Sequence, residues 1–410
     1  MLTGNSGYET WKKKTALFLT SQTISLFGSS LVQYAITWYI TLTTQSGVMM
    51  TISILCGFLP MFVMAPFAGV WADRYSRKKL IIYADSMIAA ATLVMAVLFF
   101  NGYNALWMIF MVSALRAFGS GIQTPAVGAV LPQLVPQEQL TRINGINGSI
   151  MAAMTLVSPV ISGALLAMSK IEYIFFIDVG TAAVAVFILL IFIEIPLHEK
   201  ARRTEKISYM NDLKQGVGFI NANPFLKRFF IVFGLFCFLI SPAAFLTPLQ
   251  VTRSFGSDVW RLTAIEIAFS AGMIVGGAII AAWGGFKNKV HTMTLACFIF
   301  GVSTLALGVI PVFWIYLCCM GIAGIAVPLL NTPSTVLLQQ KVEENFLGRV
   351  FGVFSMISTS MMPLGMLVFG PIADSVRIEW ILIATGILIL VQGLLMSRNK
   401  VLNQGGVVEK

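Results

Sequence analysis

Twelve stretches of about twenty apolar residues punctuate the chain, each long enough to cross the roughly 30 Å hydrocarbon layer of a bilayer as an α-helix. Within a few residues they fall at 15–42, 48–71, 80–100, 105–130, 146–168, 173–197, 229–251, 262–283, 290–310, 313–338, 350–372 and 380–396. Of the 410 residues, 57% are hydrophobic and only 11% charged. A soluble chain of this length would need far more charge to solvate its surface, so the bilayer is the solvent. The runs mix Leu, Ile, Phe, Met, Gly and Ala without sustained period-two alternation, which favours helices over a membrane barrel. The expected fold class is an all-α membrane protein with twelve transmembrane helices in two six-helix bundles.

A net charge of +10 would suggest nucleic acid in a soluble protein, but here the placement of the charge accounts for it. With the N-terminus in the cytoplasm, Lys12 to Lys14, Arg74, Arg77 to Lys79, Arg142 and the basic residues from Lys200 to Arg228 all lie inside. Lys170, Arg253, Arg261 and Arg377 lie outside. The positive-inside rule then puts both termini in the cytoplasm of a multi-pass protein of the bacterial cytoplasmic membrane. Lys12 to Lys14 ahead of an apolar run superficially resemble a secretory signal, but the run is too long for a cleaved one. The five cysteines sit in apolar runs and read as small hydrophobes, and the two histidines are too few for a histidine metal site. No metal and no nucleic-acid partner is expected.

One connection is unlike the others. Residues 198–228 are polar and basic, and they divide the chain into an N-terminal bundle at 1–197 and a C-terminal bundle at 229–410. Within this cytoplasmic loop, 208–220 has the spacing of an amphipathic helix on the inner leaflet, with a solvated linker as the equal alternative. The halves also share a weak repeat. Thr124-Pro125 is followed by Leu140, Arg142 and Gly145, and Thr332-Pro333 by Leu347, Arg349 and Gly352. Repeats in the same membrane orientation are the plan of a rocking transporter with its site between the halves.

The chain has no phosphate-binding loop, no H-E-x-x-H and no G-x-S-x-G. Neither ATP coupling nor hydrolysis has visible machinery, so the protein is read as a secondary transporter without a cofactor and not as an enzyme. Between the second and third runs stand Gly69, Trp71, Asp73, Arg74, Arg77, Lys78 and Lys79. Gly69 permits close helix approach, and Asp73 suits the positive end of a helix while Arg77 or Lys78 pairs with a carboxylate. A basic turn that only sets topology is the alternative.

This stretch resembles the G-x-x-x-D-R-x-G-R-[RK] loop of the major facilitator superfamily, with Ser76 in place of the usual glycine. The resemblance implies a conformational latch formed by Gly69, Asp73, Arg74, Arg77 and Lys78 against the eleventh span near Arg349. After the eighth span Gly285 stands where the acid would be, so the latch is asymmetric. Ser158, Pro159 and Gly163 resemble a degraded antiporter motif that kinks the fifth span, and Arg116 resembles the basic residue of the fourth-span motif. Stretches such as Gly57-Phe58-Leu59-Pro60, Ala84-Asp85, Glu138-Gln139-Leu140-Thr141 and Ile177-Asp178-Val179 resemble the macrolide-efflux (Mef) group of bacterial drug exporters. That resemblance implies export of a small amphiphilic substrate in exchange for protons, by a protein functional as a monomer with membrane lipid around it.

Ionisable side chains at bilayer depth are functional candidates by default. Asp178 in the sixth span and Glu266 in the eighth can take up a proton outside and release it inward, since protonation removes a charge from the low-dielectric layer. Arg116 in the fourth span needs an anion or dipoles around it, and separating it from an acid lets that acid bind a proton. Asp85 joins these proton-coupling candidates, with a structural ion pair to Arg77, Lys78 or Arg142 as its commoner role. Gln33, Tyr34 and Trp38 of the first span, Gln123 of the fourth and Asn331 of the tenth are candidates for the substrate cavity, and Tyr34 and Trp38, four residues apart, can share one helix face. The expected activity is proton-coupled multidrug efflux by alternating access. Transport of a physiological metabolite such as a siderophore or lipid, in either direction, is the first alternative, and a non-transport membrane scaffold or enzyme the second.

Overall fold

A computed structural model describes residues 4–193 and 209–407, and twelve helical segments among them are long and apolar enough to span a membrane. The described residues 209–407 take in most of the 198–228 connection, while 198–208 lie outside the description. By its internal contacts the chain divides into two units, one of residues 1–40 and 52–207, the other of residues 41–51 and 208–410.

The first unit is built on α1 (Gly4–Thr44), α2 (Gly47–Arg74), α3 (Arg77–Phe100), α4 (Leu106–Leu134), α5 (Leu140–Met168) and α6 (Ile171–Phe192), with a 3-10 turn at Gln137–Gln139 before α5. α3 packs against both α4 and α6. Near the start of α3 the core is mainly aliphatic, gathering Ile81, Val130, Leu131, Leu189 and Ile193 around Phe18. At its far end the core is aromatic, with Phe99 edge-on to Phe175 at 5.6 Å and to Tyr39 at 5.9 Å. Gly28 of α1 sets the distance to α6, because a Cβ at that position would lie 2.0 Å from Thr181 Oγ1 and 3.0 Å from Asp178 Cα. α5 runs unbroken through Pro159, and one turn on Ser162 Oγ donates to the Leu31 carbonyl of α1 at 2.9 Å. A proline inside a membrane helix is tolerated where neighbouring groups serve the freed backbone.

The second unit starts with α7 (Tyr209–Ala222) and continues with α8 (Pro224–Leu239), α9 (Ser241–Phe245), α10 (Thr247–Ser254), α11 (Val259–Trp283), α12 (Lys289–Val309), α13 (Phe313–Lys341), α14 (Glu344–Ser375), α15 (Ile378–Arg398) and α16 (Lys400–Gly405). α7 occupies the stretch expected to be amphipathic. It docks on protein: Phe219 stacks on Phe346 of α14 with centroids 4.6 Å apart, and Ile220 is buried. The run at 229–251, which the sequence presents as one span, is three helices in series. Pro242 and Pro248 each sit in the first turn of a new helix, where a missing N–H costs nothing but the preceding helix cannot continue. α11 and α13 cross at touching distance because Gly272 faces the Gly321 carbonyl and Gly324 the Phe269 carbonyl, at 1.9 Å and 2.2 Å from where a Cβ would be.

Residues 41–51 group with the second unit, where Thr51 Oγ1 donates to the Met366 carbonyl at 3.1 Å and one carboxylate makes several further bonds. Asp374, in the last turn of α14, accepts from Gly47 N at 2.6 Å, Val48 N at 3.0 Å and Ser46 Oγ at 2.7 Å, and so caps the first turn of α2. Arg253 braces it, bonding Asp374 Oδ1 at 3.1 Å and the Gln45 and Ala373 carbonyls at 2.5 Å and 2.6 Å. Gln45 itself has a φ of 48°, the left-handed turn that brings Ser46 round to the carboxylate. Asp374→Ala removes every one of these acceptor contacts, and a loss of about 1–2 kcal/mol is expected, the usual worth of a good helix cap. Thermal unfolding in detergent measures it, and an unchanged midpoint would show that the cap is dispensable.

Candidate functional site

The first unit holds a column of polar side chains on facing sides of four helices. α1 supplies Ser25 and Ser29, one turn apart. α3 supplies Asp85 and Thr92 and α4 supplies Gln123 and Arg116, each pair seven residues apart and therefore on one face, about 10 Å apart along the axis. α6 supplies Asp178. These residues sort into two layers.

In one layer Arg116 and Asp178 form an ion pair between side chains that are 9% and 1% exposed. Ser29 Oγ donates to Asp178 Oδ1 at 3.3 Å, and Arg116 also bonds Thr92 Oγ1 and, at 3.3 Å, the Ser29 carbonyl. The guanidinium thus meets its carboxylate, a hydroxyl and a carbonyl, which is the full set a buried cation needs. In the other layer Asp85 Oδ1 accepts from Ser25 Oγ at 3.0 Å and Gln123 Nε2 at 2.6 Å. Asp85 is 2% exposed, and its Oδ2 has no hydrogen-bond partner among the described residues.

The sequence names Asp85, Arg116, Gln123 and Asp178, and the structure brings all four into this column. Their roles differ from the simplest expectation in two places. Asp85 takes its bonds from neutral donors, and the basic side chains expected to pair with it lie elsewhere: Arg77 donates to the Ala72 and Ala129 carbonyls at 3.1 Å and 2.5 Å, Lys78 to the Leu190 carbonyl at 3.0 Å, and Arg142 lines a cavity between α1 and α5. Gln123, expected on a cavity wall, spends its amide on Asp85. Ser25, Ser29 and Thr92 escape the sequence reading. Serine and threonine at bilayer depth usually bond their own helix, and only the four-residue spacing of Ser25 and Ser29 hinted at a shared polar face.

Among the remaining candidates, Trp38 is fully buried, so it is a core residue here and not an open wall, with Tyr34 against it at a centroid distance of 5.6 Å. Gln33 is exposed. Ser158, Pro159 and Gly163 are buried on α5, and Ser158 Oγ has no hydrogen-bond partner. Of the latch residues, Arg77 and Lys78 are described above, while the side chains of Gly69, Asp73 and Arg74 lie outside the described residues.

The second unit contains a cavity of about 480 Å³ lined by residues of α8 to α14. Its wall is apolar, with Phe233, Phe236, Phe269, Phe300 and Phe354 and the methionines Met273, Met320 and Met362. Glu266 is the one charged side chain in that wall, and its carboxylate takes no hydrogen bond or ion pair from any described residue. Asn331 and Ser358 add a few neutral polar atoms. A cavity of this size, apolar with a few polar groups, fits a small amphiphile.

Twelve spans, buried intramembrane charges and an apolar cavity with a lone carboxylate define a membrane transporter and not an enzyme. The sequence pattern of the Major Facilitator Superfamily matches residues 18–366, and the chain belongs to that superfamily. Macrolide efflux protein A of Streptococcus pyogenes is 31% identical over 93% of this chain and 95% of its own length. The Staphyloferrin A transporter of Staphylococcus aureus is 24% identical over 88% of this chain and 89% of its own. Among solved structures, a variant of the nucleoside transporter NupG superposes with a TM-score of 0.71 at 14% identity, over 93% of this chain and 99% of that one, a likeness of fold.

Proposed function

We propose that the protein exports amphiphilic organic cations, macrolide-like drugs among them, in exchange for protons by alternating access, as a monomer with both termini in the cytoplasm. The observation that carries this reading is Glu266, a carboxylate without a partner among the described residues, in a wall of phenylalanine and methionine. An ionised carboxylate in such a wall is costly alone and is relieved in two ways, by a proton or by the ammonium group of a cargo whose apolar body fits the rings. The two occupants exclude one another, so a proton arriving releases the cargo. That exclusion is the elementary step of an antiporter.

The polar column of the first unit supplies the second half of the cycle. Asp85, with neutral donors on one oxygen and none on the other, is a place for a proton that needs no counter-cation. Arg116 and Asp178 hold their charges against each other until helix movement parts them, when Asp178 in turn binds a proton. The 31% identity to a macrolide efflux protein supports a drug-like cargo.

Proteoliposomes containing a trapped pH dye test the reading. Adding a macrolide or another lipophilic amine is expected to drive a proton flux that empty liposomes lack. Asp85→Asn should slow that flux about tenfold or more while leaving amine binding, measured by quenching of the tryptophans, unchanged. Absence of any substrate-linked flux in the wild-type protein sinks the antiport reading. A second reading, transport of a physiological metabolite, is favoured by the relative named as a Staphyloferrin A transporter. It predicts flux with an anionic chelator and none with amines.

A further inference from the structure

A second cavity, of about 590 Å³, lies in the first unit between α1 and α5, and its lining ends on α1 at Ile24, one residue before Ser25 of the polar column. Lys12 and Arg142 line one end, and the wall beyond is mainly apolar, with Leu19 and Ile24 on α1 and Ile146 and Ile150 on α5, interrupted by the hydroxyls of Thr20 and Thr23. Thr15 also lines it. That side chain is 2% exposed and its Oγ1 has no hydrogen-bond partner among the described residues, an orphaned donor and acceptor at the level where charge gives way to hydrocarbon. From Lys12 to Ile24 the groove runs about 18 Å along α1. One leaflet of a bilayer has a hydrocarbon depth of about 15 Å.

We infer that this groove between α1 and α5 holds an anionic phospholipid, its phosphate between Lys12 and Arg142 and one acyl chain along Ile146 and Ile150. Two cations at one end select a negative headgroup, and Thr15 Oγ1 finds its missing partner in a glycerol ester or phosphate oxygen. The length of the apolar part separates a lipid from a soluble anion, which would fill only the charged end. The same two cations disfavour the organic cations proposed as cargo, so the groove is not a second copy of the Glu266 cavity. Bound lipid would wedge α1, the helix that carries Ser25 and Ser29, against α5.

Native mass spectrometry of the purified full chain in detergent, titrated with phosphatidylglycerol or phosphatidylcholine, reads this directly and is independent of sidedness and of any cargo. Phosphatidylglycerol is expected to be retained in preference to phosphatidylcholine. Lys12→Gln with Arg142→Gln should weaken its binding by about fivefold for each charge removed. Ile146→Trp, which narrows the apolar part and keeps both charges, should weaken it as well, and it covers the case in which the double variant fails to fold. Lys287→Gln with Lys400→Gln, basic positions of the second unit, should leave binding as it was. Equal retention of the two lipids, an equal loss in that control pair, or displacement of the lipid by millimolar inorganic phosphate would overturn the inference.

Discussion

Arg116→Ala is expected to cost about 3–5 kcal/mol of stability, because it strands Asp178 as an unpaired anion at 1% exposure. Asp178→Asn strands the guanidinium instead, with a loss of the same order. Removing both charges together should cost less than the sum of the two, since most of each single loss is the penalty of the orphan and not the worth of the bond. Thermal unfolding of the two single variants and the double variant in detergent completes the cycle. The double variant also separates support from coupling. If it folds and still exchanges protons for substrate at the wild-type rate, the pair is scaffolding and the coupling role proposed for it is wrong. The expected result is a folded protein whose substrate transport no longer moves protons.

Glu266→Gln is expected to raise the dissociation constant of a lipophilic amine by at least about tenfold, 1.4 kcal/mol, while an uncharged analogue of the same size binds as before. The substitution keeps the shape of the side chain and removes only its charge, so the cavity and its aromatic wall persist. Binding of the amine should also lose its dependence on pH over the range in which Glu266 exchanges a proton, because the competing occupant is gone. Equal weakening of the charged and neutral ligands would mean that Glu266 supports the cavity and does not read the cargo. Unaltered binding of both would move the cargo site elsewhere.

The architecture could be read from residue order alone because a bilayer leaves few choices. A run such as 290–310 with no charge inside it must be a helix in lipid, and α12 (Lys289–Val309) is that helix. The break of the seventh span was harder to read. Pro242 and Pro248 lie in a stretch apolar throughout, and hydropathy does not register a lost N–H. The intramembrane charges were legible one by one, since Asp85, Arg116 and Asp178 are conspicuous in apolar surroundings. Their partners were not. Arg77 and Lys78 are close to Asp85 in sequence, yet each finds a backbone carbonyl nearer its own helix end, and the neutral Ser25 and Gln123 arrive from other helices. The cavity around Glu266 was out of reach because it is the space left between α8 to α14, set by which faces of six or more helices meet.

The seven-residue spacing shared by α3 and α4 ties the fates of two carboxylates that do not touch. Arg116 and Gln123 ride on one rigid rod, so a slide or roll of α4 that draws the first from Asp178 also draws the second from Asp85. Both acids would then lose their α4 partner in a single stroke, each keeping the bond from its α1 serine, with no signal passed from one to the other. A cycle built this way has a gear where a wire might have been sought, and its teeth are a guanidinium and an amide two turns apart.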